Sequence, residues 1–384
     1  MPKILLIVLS YILIIFNTNL LSIEKNNQLK IGLLAPFTGE FKELGNSLLL
    51  SVQLAIQEIG DKNIIIIPRD SGVNNKKLLN KSVKDIANEG AKVIIGPINS
   101  ESFEEIYKYK DLVFISPSNL EPIISNNIIS IGISLESQIV ALEKFIKLQK
   151  KKKTIILYPK NQYTEFLDKK INSIKPNNYK IFKYNSDPKI LTGDIQKLTN
   201  YEQRKRNLEL RKKFLEKKDD LNSERELKKL EQVYTLGKVN FDSVIVIDFG
   251  NNLKSVLTSL AFSDVNEKDV LFTTVNQWFD KSIFFENTLK TLYYPSVNYK
   301  NFTEYNKNYI KEYKTKPSEI TILAYDSVGL IYYVWKKNKN INSIKDFLIK
   351  DKIRGKIGTF NFKDGRVFQE LNIYKAEDNK FTKF

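Results

Sequence analysis

From Leu29 onward, short runs of consecutive apolar residues alternate with longer segments in which apolar residues recur every three or four positions. Leu29-Lys-Ile-Gly-Leu-Leu-Ala35 reads as a buried strand ending in the turn Pro36-Phe-Thr-Gly39. Leu44–Ile59 then carries Leu48, Val52, Ala55, Ile56 and Ile59 at helical spacing. Ile64–Ile67, closed by Pro68, is the next strand, and Leu78–Glu89 a helix stopped by Gly90. Val93–Ile95 is a strand ending at Gly96-Pro97, Glu101–Tyr109 a short helix, and Leu112–Ile115 a strand running into Ser116-Pro-Ser-Asn119. Strands that are apolar throughout need cover on both faces, which predicts a parallel sheet between layers of helices.

The alternation restarts after Ile128-Ile-Ser-Ile131, with a helix over Ser134–Gln149 and a strand over Thr154–Leu157. Further pairs centre on Phe166, Ile181, Ile195, Val244–Ile247, Val256 and Leu271–Thr273. Two sets of the same unit predict two similar α/β lobes, each a parallel sheet with helices on both faces. Ser318–Trp335 reads as a long helix, with Tyr325-Asp326 opening a buried stretch, and Gly358–Phe368 as a hairpin turning on Asp364-Gly365. Tyr201–Val233 breaks the rhythm: it is almost wholly charged or helix-favouring, with Leu208, Phe214, Leu215, Leu221, Leu227 and Leu230 as sparse apolar positions. Asp219-Asp-Leu-Asn-Ser223 offers a turn, and Ser223 with Glu226 fits a capping box, so a charged helical hairpin projecting from the second lobe is expected. The boundaries that follow are a leader over 1–22 and a first lobe over 29–132 completed by about 318–345. A second lobe covers 133–317 with the insertion at 201–233, and a C-terminal hairpin region covers 346–384.

The length of 384 residues exceeds what one hydrophobic core usually supports, in keeping with two lobes. Lys and Arg outnumber Asp and Glu by 61 to 44, a net charge of +17, yet Lys is spread over every presumed helix. A solvated basic surface is therefore expected, and no nucleic-acid partner. The chain has no His and no Cys, which removes His- or Cys-based metal sites, Ser-His-Asp and Cys-His nucleophiles, and disulfides. Asp, Glu, Lys and Ser remain, but in no acid–base constellation at diagnostic spacing, so an enzyme ranks far below a protein that acts by recognition. Neither a GxGxxG nor a GxxxxGK[ST] run occurs, and neither a bound nucleotide nor any other cofactor or metal is expected.

Lys3 precedes the apolar run Ile4–Phe16, which has the length of a signal-peptide core and falls short of the roughly 20 residues a spanning helix needs. A cut between Leu20 and Glu24, near Ser22, would release a periplasmic protein; no Ala-x-Ala site is present, and an uncleaved anchor stays open. Without Cys there is no lipid anchor.

Ligands of open α/β sheets bind outside the carboxyl ends of the strands. Three loops there offer hydroxyls, amides and backbone N–H groups suited to an anion such as a carboxylate: Pro36–Gly39 with Thr38, Gly96–Ser100 with Asn99 and Ser100, and Ser116–Asn119 with Ser116, Ser118 and Asn119. The same residue types are ordinary turn and cap formers. In the second lobe, Asn161 and Tyr163 open a helix after a strand, and Trp278 can offer an aromatic wall.

Taken in order, Lys30-Ile-Gly-Leu-Leu-Ala-Pro-Phe-Thr-Gly39, Gly45, Gly90-Ala-Lys-Val-Ile-Ile-Gly-Pro97, Phe114-Ile-Ser-Pro117 and Ala324-Tyr-Asp-Ser327 resemble the type 1 periplasmic binding proteins of the leucine/isoleucine/valine-binding sort. The charged insertion from Tyr201-Glu-Gln-Arg204 to Tyr234-Thr-Leu-Gly237, then Phe241-Asp-Ser-Val244 and Gly358–Gly365, is most similar to the bacterial penicillin-binding protein activators. The resemblance implies a bilobed, hinged, non-enzymatic periplasmic protein. Its partner would be a penicillin-binding protein or, in the alternative, the permease of an ABC importer for branched-chain or related amino acids. Amino-acid receptors of the group hold their ligand with hydroxyls and backbone after Ser-Pro, usually with a Thr; here Ser118 stands near that place and Leu120 where the Thr is expected.

Overall fold

The computed structural model describes residues 28–119, 124–176, 178–284, 290–363 and 365–384. The leader, Leu120 and Asp364 lie outside the described residues. Among these residues the chain forms two compact units, each interrupted in sequence: one takes the described parts of Met1–Pro117, Ser125–Ile129 and Ala324–Leu348, the other those of Ser118–Ile124, Ser130–Leu323 and Ile349–Phe384.

The first unit is built on strands β1 (Leu29–Ala35), β2 (Ile64–Asp70), β3 (Val93–Ile95), β4 (Val113–Ser116), β5 (Ile124–Ser125) and β6 (Ile128–Ser130), in the sheet order β2-β1-β3-β4-β6-β5. β1 pairs in parallel with both β2 and β3, and β3 with β4. Ile31, Leu33, Leu34 and Ala35 of β1 are all buried, as a strand with helices on both faces requires. The crossovers are α1 (Lys42–Ile59), which stops at Gly60 in the left-handed conformation, and α2 (Lys76–Asn88), whose first turn is capped by the Asn75 side chain. The short helix expected over 101–109 divides into a 3-10 turn, Ser100–Ser102, and α3 (Phe103–Ile106). Leu79, Val83 and Ile86 of α2 pack with Phe103 and Ile106 of α3 over Ile94 and Phe114 of the sheet.

The second unit holds β7 (Thr154–Pro159), β8 (Tyr179–Tyr184), β9 (Ser243–Val246), β10 (Leu271–Thr274) and β11 (Leu292–Ser296), then β12 (Ile353–Gly355), β13 (Gly358–Lys363), β14 (Arg366–Glu370), β15 (Asn372–Glu377) and β16 (Lys380–Lys383). Its seven-stranded sheet runs β16-β15-β11-β10-β9-β7-β8, and β12-β13-β14 form a separate antiparallel sheet. From β8 to β11 the large sheet is parallel; β15 and β16 extend its edge antiparallel, a chain-terminal addition that apolar runs alone do not reveal. Helices α4 (Leu135–Leu148), α5 (Thr164–Ile174), α6 (Pro188–Leu198), α7 (Tyr201–Leu215), α8 (Leu221–Leu230), α9 (Gly250–Phe262) and α10 (Tyr299–Tyr313) complete it. One core cluster joins α6 and α9 to the sheet, and a second joins α4 and α5 to it. A further helix, α11 (Ile322–Asn338), runs from the second unit into the first and follows the 3-10 turn Glu319–Thr321.

Helices α7 and α8 are the expected charged hairpin, with two corrections. The cap of α8 is Asp220, whose carboxylate accepts the Asn222 and Ser223 N–H groups at 3.1 and 2.9 Å; Ser223 lies inside the helix and donates its hydroxyl to Asp220. Only Leu208, Leu215 and Leu230, with Leu227 and Leu236, form the hairpin's seam, whereas Phe214 and Leu221 are exposed. The reason is angular: Leu208 and Leu215 are seven residues apart and fall on one face, and Phe214 falls off it.

Candidate functional site

In the first unit, loops after β1, β3 and β4 leave neighbouring strands of one sheet, and the three predicted residues described there sit along its carboxyl edge. Thr38 is exposed and donates its hydroxyl to Asp70 Oδ2 at 2.5 Å, while Asp70 Oδ1 accepts the Gly72 N–H at 2.9 Å. Asn99 is half-buried; its Oδ1 accepts the Glu101 N–H at 3.0 Å and opens the 3-10 turn. The side chain of Ser100 lies outside the described structure. Ser116 is fully buried and donates to the Pro97 carbonyl at 2.5 Å, and Gly96 N–H reaches Ile115 O at 2.8 Å. Gly96 has φ +97°, and a β-carbon there would meet the Leu34 carbonyl oxygen at 2.1 Å, so only glycine lets β3 leave the sheet this close to β1.

In the second unit, Ser118 is buried, and its carbonyl accepts Ser130 Oγ at 3.0 Å. Asn119 Oδ1 takes the Ile133 N–H at 2.7 Å, just before Ser134 caps α4. Asn161 Oδ1 accepts the Tyr163 N–H at 2.9 Å and forms the turn that starts α5; the Tyr163 ring is half exposed. The Trp278 ring is half-buried 6.0 Å from the Phe302 ring, and the Trp278 backbone N–H donates to Asn276 Oδ1 at 3.0 Å.

A more tightly built polar group, which the sequence reading passes over, lies after β8, β9, β10 and β11 of the same sheet. Buried Asp248 accepts hydrogen bonds from the Tyr184 hydroxyl and from the Phe249 N–H, and its carbonyl takes Gln277 Nε2 at 3.1 Å. Burial raises the Tyr184 phenol pKa, and the Asp248 carboxylate to which it donates raises it further, so Tyr184 stays a donor at every physiological pH. Buried Asn276 receives Ser296 Oγ at 2.8 Å on its carbonyl oxygen, and its backbone N–H is held by Gln138 Oε1 at 2.7 Å. The signal was available: Asp248 and Asn276-Gln277 are polar residues that directly follow apolar strands. A single Asp or Asn there reads equally well as a turn former.

Each unit thus gathers hydroxyls, amides and a carboxylate at the carboxyl edge of its sheet, an arrangement for hydrogen-bonded recognition. Residues 28–172 match the periplasmic binding protein family. Over 93% of the chain the backbone superposes, with a TM-score of 0.64 and 11% identity, on 94% of a branched-chain amino acid ABC transporter periplasmic ligand-binding protein from Burkholderia xenovorans LB400. This is the type 1 periplasmic binding fold. The C-domain of LpoA from Haemophilus influenzae, a regulator of PBP1A, is similar over 92% of this chain and 99% of that domain, at 12% identity and a TM-score of 0.60. The branched-chain amino acid transporter substrate-binding protein LivJ from Streptococcus pneumoniae, bound to isoleucine, is similar over 93% of this chain and all of that one, at 16% identity and a TM-score of 0.52. No curated protein sequence matches. The binding fold expected from the ordered motifs is therefore present, and the family and structures named are binding proteins and a regulator, not enzymes. Among the described residues no helix is long and apolar enough to cross a membrane.

Proposed function

We propose that this protein is a non-enzymatic, periplasmic binding-fold regulator of peptidoglycan synthesis that docks a penicillin-binding protein through its helical hairpin. The observation that carries this reading is the outer face of α7. Leu210 and Phe214 are 61% and 50% exposed on it, and Phe214 lies under the Arg211 guanidinium at 5.4 Å and the Lys218 ammonium at 4.7 Å. Exposed Arg206, Lys213 and Lys217 share that face by helical spacing, and Glu202, Glu209 and Glu216 form a separate stripe along the helix. Apolar anchors framed by charges of both signs suit a protein surface of complementary charge. The hairpin is also a fixed arm. Arg211 grips Glu226 through two hydrogen bonds of 2.8 Å, and buried Arg204 ties the base of α7 to Thr235 Oγ1 and to the Ser263 and Asp264 carbonyls. Similarity to the LpoA C-domain supports the same reading.

Its test is capture of a defined, solubilised class A penicillin-binding protein by the purified protein. The double variant Leu210→Ala, Phe214→Ala is expected to weaken capture at least about tenfold while the melting temperature holds, since exposed anchors contribute to binding and little to folding. Undiminished capture by the variant, or none by the parent, rejects the proposal.

A second reading, the substrate-binding protein of an ABC importer for branched-chain or related amino acids, is favoured by the buried network around Asp248 and Asn276 and by the likeness to LivJ. There, Ser118 would meet the ligand carboxylate, and Ser118→Ala would weaken binding by roughly 0.5–1.5 kcal/mol. A thermal-shift series with isoleucine, leucine and valine decides it, because a ligand of the folded state raises the melting temperature by mass action.

A further inference from the structure

Helix α4 of the second unit is apolar on two sides. Ile139, Leu142 and Ile146 pack on the sheet as part of its core. Val140, Ala141, Lys144 and Leu148 follow Ser137 at i+3, i+4, i+7 and i+11, which at about 100° per residue puts them on the opposite side of the helix. This second stripe lines an open groove of about 640 Å³. Leu148 is 75% exposed, and Val140 and Ala141 are half-buried. The facing wall is half-buried Phe368, Leu371 and Ile373 with the Phe384 ring, which is 59% exposed and stands edge-on to Phe145 at 5.0 Å. The exposed lining is mainly apolar, and the volume falls within the about 300–1,000 Å³ range of small-molecule sites.

One buried polar side chain lines the groove with an acceptor to spare. Gln369 of β14 is 7% exposed, and its Nε2 donates to the Ile131 carbonyl at 2.7 Å and the Gly132 carbonyl at 3.3 Å. Its backbone N–H donates to Ser137 Oγ at 3.2 Å, which fixes β14 against the start of α4. Gln369 Oε1 has no hydrogen-bond partner among the described residues. A buried acceptor is unfavourable until a donor reaches it. Asn361 and Asn372 add two half-buried carboxamides to the lining. Lys144 and Lys383 also line the groove, and the Glu370 carboxylate that could offset them is engaged by Lys352.

An acyl chain would fit the apolar walls but brings no N–H for Gln369, whereas a peptide backbone brings donors and acceptors alike. From Ser137 to Lys144 the helix advances about 10 Å, the length of about three extended residues. We infer that the groove binds a free peptide of about four residues, extended along α4. Its apolar side chains lie on Val140, Ala141 and Phe368, one of its N–H groups donates to Gln369 Oε1, and its terminal carboxylate meets Lys144 and Lys383. This inference uses none of the residues assigned to partner docking or to amino-acid binding, so it stands or falls separately from either reading.

The test is isothermal titration of the purified full-length protein with the tetrapeptide Ala-Leu-Ala-Leu as free acid, with its C-terminal amide, and with decanoate. The free acid is expected to bind at least about tenfold more tightly than the amide, which lacks the charge, and than decanoate, which lacks the N–H groups. Lys144→Ala with Lys383→Ala should bring the acid down to the affinity of the amide. Gln369→Met should weaken acid and amide alike by about tenfold. Ala141→Phe, on the open side of α4, should fill the groove and abolish peptide binding, with circular dichroism as the check on folding. Absence of binding of the free acid at millimolar concentration, decanoate that binds as tightly as the peptide, or a folded Ala141→Phe variant that binds like the parent would each overturn the inference.

Discussion

Gly45 lies in the first turn of α1, yet a β-carbon at that position would meet the Pro36 carbonyl oxygen at 2.2 Å and the Phe37 nitrogen at 3.1 Å. Both contacts are backbone, so neither can rotate aside. Gly45→Ala gains up to about 1 kcal/mol of helix propensity but must push α1 off the loop after β1, and overpacking of this kind costs about 1–3 kcal/mol. The expected result is a lower urea midpoint, and a midpoint at or above the parent's would refute it. Arg204 teaches a different lesson. In sequence it is one charge in a charged run, but in the fold it is buried, with burial lowering its pKa and the Asp264 carboxylate 3.8 Å away opposing that. Its removal leaves Thr235 and the Ser263 and Asp264 carbonyls without their donor, so Arg204→Ala is expected to cost about 1–3 kcal/mol. Arg211→Ala, which breaks the 40%-exposed pair with Glu226, should cost clearly less, because solvent screens an exposed pair. Equal losses in thermal melts would contradict this ranking. Composition could not separate the two arginines because burial depends on where the hairpin lands. At the strand ends, the places of Thr38, Asn99, Ser116, Ser118, Asn119 and Asn161 in loops after strands were legible, because Gly, Pro, Ser and Asn cluster after apolar runs. The Asp248–Tyr184 bond joins residues 64 positions apart and leaves no local trace.

Elements were most legible where a periodic pattern and a stop coincide, as in α1, which runs to Ile59 and ends at Gly60. They were least legible where two caps compete. Asp220 and Ser223 both offer a cap at the start of α8, and Asp220 caps it because its carboxylate satisfies two N–H groups at once. Helix α3 spans only one turn and is held by its neighbours more than by its own propensity. Its Glu105 joins it to α2, accepting from Lys76 Nζ at 2.9 Å and Asn80 Nδ2 at 3.2 Å. The Lys76 and then the Asn80 hydrogen bonds hold the Glu105 carboxyl at about 2, well below 4.5. A depressed folded-state pKa contributes stability that is complete above the unfolded value and disappears as the carboxylate is protonated. Stability of the first unit should therefore decline as the pH falls from about 4.5 towards about 2, and Glu105→Gln should flatten that part of the curve. Denaturant midpoints measured across the window, parent against variant, check it; parallel curves would show that the link has no weight.

At the scale of the whole molecule, the decisive feature is that each unit is assembled from separate stretches of chain. The alternating pattern made two α/β units readable, because each strand–helix pair is local. It could not show which late helix returns to which unit, since that depends on tertiary packing. Helix α11 supplies the answer for the first unit. Its Val328, Ile331 and Val334 are buried, the Tyr332 hydroxyl donates to Asp61 Oδ2 at 3.0 Å, Lys336 pairs with Asp61 at 3.5 Å, and Tyr325 donates to Glu58. These contacts attach the end of α1 to residues more than 260 positions away. A chain ending at Leu323 keeps every strand of the first unit's sheet but uncovers the apolar surface that α11 protects. Burial of one large aliphatic side chain contributes about 1.5–3 kcal/mol, so losing three such residues removes an amount comparable to the about 5–15 kcal/mol by which a domain is stable. The truncated chain is thus expected to expose the segment from Leu29 to Pro117 to protease while part of the second unit resists, and mass mapping of the fragments reads the difference. Protection of Leu29–Pro117 equal to the parent's would mean that the first unit closes its core without α11, and the account of its assembly given by these contacts would be wrong.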